Sequence, residues 1–204
     1  MERQRIQRWT TLLVPPELLG THLGGPVAHT TGRSHRTGFR AATAMIGHFG
    51  IEWDLRGLDR EARAEVASWV SLHKELRPLV AAGRLVRGDH HDPALLVTGV
   101  VATDRSEGWY VVATVDTSIT QSVGAVRLPG LDPERSYLVA DRTPAGERHR
   151  AEIGATWLDG DGVELGGRTL AEVGVRFPAL APESAHVLHV APGDRAADRP
   201  LRPP

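Results

Sequence analysis

The sequence predicts an α/β unit followed by an all-β unit, and three observations carry that prediction. Up to Gly83, apolar strands alternate with amphipathic helices; beyond it, short alternating runs are separated by Asp, Gly and Pro turns; and a long helix ending ELRPLVAAG joins the two. Strands alternating with helices in short-looped units are the pattern of a parallel sheet or β/α barrel, because a parallel return needs a crossover. Short runs with turn residues between them are the pattern of an antiparallel sandwich.

Ile6, Trp9 and Leu13 fall at i, i+3 and i+7, so residues 2–13 read as an amphipathic helix stopped by Pro15 and Pro16. A short strand is expected over 18–23, closed by Gly24, Gly25 and Pro26. In the polar loop that follows, Ser34 is placed to cap a helix whose apolar face is Phe39, Ala42 and Ile46. A strand over 49–55 comes next, and Asp59 is placed to cap the long helix with Val66, Trp69, Val70 and Leu76 as its buried stripe. Pro78 is expected to kink or end that helix and Gly83 to supply its terminal turn. Within 84–192 the runs ALLVTGVVA, GWYVVATVD, VRLP, SYLVA, EVGVRF and AHVLHVA, with DRSEG, PGLDPE and LDGDG between them, suggest a sandwich of about eight strands. The tail 193–204, GDRAADRPLRPP, lacks apolar content and is expected to be disordered.

The composition narrows the function classes. A 41% hydrophobic chain of 204 residues can bury a core, and a net charge of −1 offers no basic surface for nucleic acid. Of the 24 basic residues only Lys74 is lysine, which reflects base composition rather than phosphate binding, since the arginines are scattered among acids. No apolar run is long enough to span a membrane, and the polar, helical first residues carry no signal-peptide pattern. The absence of cysteine excludes a disulfide framework and a thiolate nucleophile and fits a reducing, cytoplasmic setting.

In a barrel-like unit chemistry belongs at the carboxyl ends of the strands, which selects His22, the following loop with His29 and Arg33, then Trp53 and Asp54. Arginine and imidazole there could donate to sugar hydroxyls, or serve only to stabilise the loop. Glu52 and Asp54 would share a strand face, but neighbours about 6.6 Å apart along one strand point in parallel and do not converge as a catalytic pair must. His90, His91 and Asp92 have the composition of a metal site but sit among turn residues, and read as a solvated turn. His186 and His189, three apart in a strand, face opposite ways and do not share an ion. Trp109 and Tyr110 alternate, so one ring is expected to face in and one out, the outer one available for sugar stacking or edge packing. No GxSxG elbow signals a serine hydrolase.

Taken in order, ERQRIQ at 2–7, VPPELLGTHLG at 14–24, HTTGRSH at 29–35, FRAATAMIGHFGIEWDL at 39–55, LRPLV with Gly83, DPALLVTGVVA at 92–102 and VRLPGLDPERSY at 126–137 resemble the carboxyl-terminal part of a bacterial α-galactosidase of glycoside hydrolase family 36. The resemblance implies a retaining hydrolase of terminal α-galactosides such as melibiose or raffinose, with two catalytic aspartates on a (β/α)8 barrel and no metal or redox cofactor. It also implies that both aspartates belong to segments upstream of the matched ones, so no catalytic residue is carried onto this sequence. Residues 1–83 would then be the last barrel units and 84–192 the β-sandwich beside the barrel. The expectation is a portion inactive alone, with an α-galactoside as ligand and a homo-oligomer or the missing catalytic portion as partner. A non-catalytic carbohydrate-binding or interaction protein, and a complementing subunit whose open barrel edge seeks a partner, are the alternatives.

Overall fold

The computed structural model describes residues 2–120, 122–144, 156–158 and 160–193. From the amino end, α1 (Glu2–Thr10) leads through a 3-10 turn at Pro16–Leu18 to β1 (His22–Gly24), α2 (Thr37–Ala44), β2 (Gly50–Glu52) and α3 (Arg60–Ala82). There follow β3 (Arg84–Gly88), β4 (Leu95–Val101), β5 (Gly108–Thr114), β6 (Gly124–Val126), β7 (Ser136–Asp141), β8 (Val163–Gly166), the short helix α4 (Gly167–Glu172), β9 (Val175–Phe177) and β10 (Ser184–Pro192). β1 and β2 pair in parallel, His22 opposite Gly50 and Gly24 opposite Glu52, with α2 as the crossover. Six strands form one antiparallel sheet in the order β3-β4-β5-β10-β7-β8, and β6 and β9 form a second antiparallel pair. The expected tail beyond Gly193 lies outside the described residues.

Several local expectations need correction. The first helix ends at Thr10, and Pro16–Leu18 is a 3-10 turn rather than the start of a strand, because Leu19 N–H returns to the Pro16 carbonyl. Ser34 does not cap α2; it bridges to Val27, and Arg36 stands at the cap without a side-chain bond. The second strand is only Gly50–Glu52, after which Asp54 caps a 3-10 turn at Leu55–Gly57. Asp59 does cap α3, its carboxylate accepting from Ala62 N–H at 2.8 Å. Pro78 does not end that helix, which runs to Ala82. A proline costs one backbone bond, but Leu76 and Val80 on either side are buried and hold the last turns in register.

The largest correction concerns which side of α1 faces in. Gln4 and Gln7 are buried, whereas Ile6, Trp9 and Leu13 are exposed. The inner face is held by polar contacts: Gln4 Nε2 donates to Thr43 Oγ1 at 2.9 Å, and Arg8 donates to the Val97 and Gly88 carbonyls.

One apolar cluster joins the helices to the six-stranded sheet. Phe39, Met45, Trp69, Leu72 and Leu76 pack with Val100, Trp109, Val111 and Val187 from one face of the sheet. A second cluster on the other face joins Tyr110, Val112, Val139 and Leu188 to Val126, Leu128, Leu170 and Phe177. The sheet is therefore covered on both faces, and every residue of β5 is buried. That corrects the expectation for Trp109 and Tyr110: both rings are wholly buried, on opposite faces, and neither is free to stack on a ligand. Tyr110 OH donates to the Pro129 carbonyl at 2.7 Å, and its burial pushes the phenol up from its usual range.

The turn at 90–92 is also more ordered than expected. Asp92 is fully buried, accepting from Ser118 Oγ and from the Ala94 and Ile119 N–H groups. Burial alone would raise its carboxyl, but these bonds outweigh burial and hold it below the usual carboxylate range. His90 Nε2 meets the Val123 carbonyl while its Nδ1 accepts from Asp92 N–H, so both imidazole nitrogens are spent on the backbone. Among the described residues no group of three or more His, Asp or Glu is placed to hold a metal, and no helix is long and apolar enough to cross a membrane. His186 and His189 take separate partners, Asp141 at 3.1 Å and Glu107 at 2.7 Å, as their opposite faces require.

Two stability predictions follow from these packings. A Cβ at Gly99 would lie 2.3 Å from Tyr110 Cδ1 and 2.8 Å from the Trp109 carbonyl. Gly99→Ala is expected to lower the unfolding free energy by about 1–3 kcal/mol, read from urea denaturation. His73, buried and stacked on Phe49 at 4.9 Å, donates from Nε2 to the Gly47 carbonyl at 3.0 Å. Burial holds its imidazole below the usual range, outweighing the opposing effect of that bond. The unfolded chain then binds the extra proton, so this contribution is complete above about pH 6.5 and is lost as pH falls below it. Melting temperatures recorded between pH 7.5 and 5, in about equal steps, should fall for the native chain and fall less for His73→Gln.

Candidate functional site

A hollow of about 460 Å³ opens between α1, the loop after β1 and the end of β2. It lies where the two parallel strands deliver their carboxyl ends, because Gly24 to Thr30 and Glu52 both line it. Ile6, Val27 and Phe39 supply an apolar wall, and Glu2, His22, His29, His35, Arg40 and Glu52 supply polar groups. His22 Nε2 stands 2.5 Å from Glu52 Oε2, a pairing set by the parallel register that brings the two strands side by side.

The start of β2, away from the lining of the hollow, is held by its own contacts. Thr21 Oγ1 donates to the Ala44 carbonyl at 2.7 Å and accepts from Phe49 N–H at 3.0 Å. Phe49 has φ of 50°, a left-handed conformation that a bulky residue adopts only where its surroundings hold it. Here the Thr21 bond and the His73 stack do so. The result is a rigid entrance to Gly50–Glu52.

The residues selected from the sequence do not all meet. His22 and His29 line the hollow. Arg33 is drawn to Glu2, its Nη1 donating to Oε1 at 3.1 Å, and does not line it. Trp53 lies beneath Arg40, whose guanidinium carbon is 4.7 Å from the ring centroid, and its ring packs against Gly25. Asp54 is taken by Arg56, which donates from Nε at 2.9 Å, from Nη2 at 2.8 Å and from its backbone. These bonds, the side-chain ones first, hold its carboxyl below the usual range. Because the strand stops at Glu52, Glu52 and Asp54 do not share a strand face, and each has its own cationic or imidazole partner.

Arg40 is the residue that sequence reasoning missed. It donates to the Gly24 carbonyl, to the His35 carbonyl at 3.1 Å and to Thr37 Oγ1 at 3.2 Å, tying both ends of the 24–36 loop to α2. Its signal was available: a single charge inside the otherwise uncharged stretch FRAATAMIG. The arrangement as a whole presents imidazoles and carboxylates around an apolar wall, which suits a hydroxyl-rich ligand with one apolar face.

Comparison with known proteins places these features in a family context. The Melibiase family model matches residues 1–83, and that of the Glycosyl hydrolase family 36 C-terminal domain matches residues 95–190. An α-galactosidase of Escherichia coli is 34% identical over 191 residues, 91% of this chain and 27% of its own length. Alpha-galactosidase C of Emericella nidulans is 35% identical over 152 residues, 72% of this chain and 20% of its own length. The crystal structure of a variant of the family 36 α-galactosidase AgaA of Geobacillus stearothermophilus, in complex with raffinose, matches with a TM-score of 0.77 at 25% identity, over 94% of this chain and 24% of that one. The chain thus spans about a quarter of the length of these proteins.

The loop depends on Arg40 by this geometry. Arg40→Ala is expected to cost about 1–3 kcal/mol in denaturation and to make residues 25–36 cleavable by limited proteolysis, with Lys a poor substitute because it lacks the planar fork.

Proposed function

The chain belongs to glycoside hydrolase family 36, the α-galactosidases, and from that membership we propose that it serves as the carboxyl-terminal portion of a retaining α-galactosidase. In this reading residues 1–83 are the final β/α units of a (β/α)8 barrel and residues 84–192 the antiparallel β-sandwich beside it. The parallel β1–β2 pair with its crossover helix supports the first assignment, and the antiparallel sheet faced by β6 and β9 supports the second. The single observation that carries the functional reading is the hollow beside the ends of β1 and β2, where His22 at the start of β1 meets Glu52 at the end of β2.

The substrate would be a terminal α-galactoside of the melibiose or raffinose type, and His22, His29, Arg33, Trp53 and Asp54 would belong to its rim. Their roles differ with their placement. His22 and His29 face the hollow and would bond sugar hydroxyls; Arg33, Trp53 and Asp54 would hold the surrounding loops through Glu2, Arg40 and Arg56. None would perform bond cleavage. The family's mechanism uses two aspartates, neither of which is carried onto a position of this sequence, and the carboxylates present at the hollow are already paired with His22 and Arg33.

The test is direct. The purified 204-residue chain, offered a chromogenic α-galactoside, is expected to release no chromophore above the buffer rate. Turnover that survives purification and disappears in Glu52→Gln would overturn the assignment of a supporting role and make Glu52 a catalytic group.

A further inference from the structure

One imidazole at the hollow is held from the antiparallel part of the chain. His35 lines the hollow, and its Nε2 lies 3.3 Å from Oε1 of Glu183. Glu183 stands immediately before β10, and the apolar side of α2 packs there, since Phe39 shares a cluster with Ala185 and Val187. That packing brings Glu183 to the segment that leads into α2.

The backbone at Glu183 is unusual. Pro182 and Glu183 form a turn, and Glu183 takes φ of 59°, a left-handed conformation for which glycine is the ordinary residue. Its N–H donates to the Thr114 carbonyl at 2.8 Å, next to the first rung of the β5–β10 ladder, and Ser184 Oγ donates to the Ala181 carbonyl at 2.6 Å. A glycine at 183 would keep both bonds, because the first comes from the main chain and the second from the next residue. The turn itself therefore gives no reason for glutamate, and a disfavoured conformation held by a side-chain-bearing residue calls for a use of that side chain.

His35 has the complementary need. Its N–H donates to the Pro26 carbonyl at 3.0 Å, its carbonyl accepts from Arg40 Nε at 3.1 Å, and its ring lies against Phe39 with centroids 5.6 Å apart. These contacts fix the backbone and one face of the ring, but they do not distinguish the two nitrogens. Nε2 is buried and has no aligned hydrogen-bond partner among the described residues. The Glu183 carboxylate makes the distinction. At 3.3 Å a bare Nε2 lone pair would confront the charge on Oε1, so the proton of the neutral ring belongs on Nε2 and Nδ1 is left as an acceptor. The His35 side chain is only 9% exposed, so water does little to offset the opposite arrangement.

We propose that Glu183 is a positioning residue of the hollow, which reaches across from the antiparallel part, holds His35 in its Nε2–H form and so leaves Nδ1 to accept from a hydroxyl of a bound sugar. The identity of that ligand rests on the functional reading above; the hold of Glu183 on His35 does not.

The experiment records two- and three-bond proton–nitrogen correlations of the imidazoles in the nitrogen-15-labelled 204-residue chain at about pH 7.5, with the His35 signals identified by their loss in His35→Gln. The native chain is expected to show His35 as the Nε2–H tautomer, and added melibiose is expected to shift its Nδ1 resonance. Glu183→Gly should melt at the native temperature or above it, because glycine takes φ of 59° without strain, yet its His35 should become a mixture of tautomers and its affinity for melibiose should fall roughly fivefold or more. Glu183→Gln should preserve the tautomer, since its amide oxygen still accepts from Nε2. An Nδ1–H tautomer in the native chain, or a tautomer unchanged in Glu183→Gly, would overturn the proposal. So would a Glu183→Gly chain that melts markedly lower, since the carboxylate would then be holding the turn and not the ring. A tautomer that depends on Glu183 in a chain indifferent to melibiose would uphold the positioning role and sink the α-galactoside reading of the hollow instead.

Discussion

Burial of β5 on both faces is the constraint on which the rest of this structure depends. All seven of its residues are buried, and its odd and even side chains belong to different cores. Trp109, Val111 and Ala113 reach toward α2 and α3, whereas Tyr110 and Val112 reach toward β6, β9 and α4. Neither covering layer is optional, since removing either would expose half of a strand with no polar side to present. The same demand explains Gly99, where β4 must make room for the Tyr110 ring. It also binds the β/α part to the antiparallel part without a linker, for α3 runs through Gly83 into β3 and packs back on the sheet.

The candidate site inherits its rigidity from that arrangement. α2 is pressed on β5 and β10 by its apolar side, which leaves its other side to hold β1 and the 24–36 loop. Thr21 links Ala44 at the end of α2 to Phe49 at the start of β2, and Arg40 links the body of α2 to both ends of the loop. The His22–Glu52 pair is thus positioned by backbone register and not by either side chain alone. A partly exposed pair of this kind contributes little to stability.

Of the five residues that the strand ends select, His22 and His29 line the hollow and Arg33, Trp53 and Asp54 do not. His22 was expected near the carboxyl end of its strand, but it opens β1 and reaches the hollow beside Glu52 of the neighbouring strand. Arg33 and Asp54 are selected by the same strand-end rule, but Glu2 and Arg56 pair with them instead. Arg40 was passed over because its helix reads as apolar, and its role exists only once the loop folds back over it. The apolar stripe of Ile6, Trp9 and Leu13 faces outward because Gln4 and Arg8 hold the opposite side of α1 against Thr43 and the Val97 and Gly88 carbonyls.

By itself the sequence determined the strand–helix alternation up to Gly83, the change to an antiparallel pattern beyond it, the Asp59 cap and the family, because each of these is written in residue spacing or in a linear run of residues, whereas the helix α4 within the expected all-β part was not. The strand lengths of β1 and β2, the persistence of α3 through Pro78, the double burial of Trp109 and Tyr110, and the outward turn of Ile6, Trp9 and Leu13 were decided only in the tertiary structure. The physical reason is common to all of them. Periodicity reports that a segment has an apolar side, whereas what covers that side, and whether a second side is covered too, is settled by segments far away along the chain.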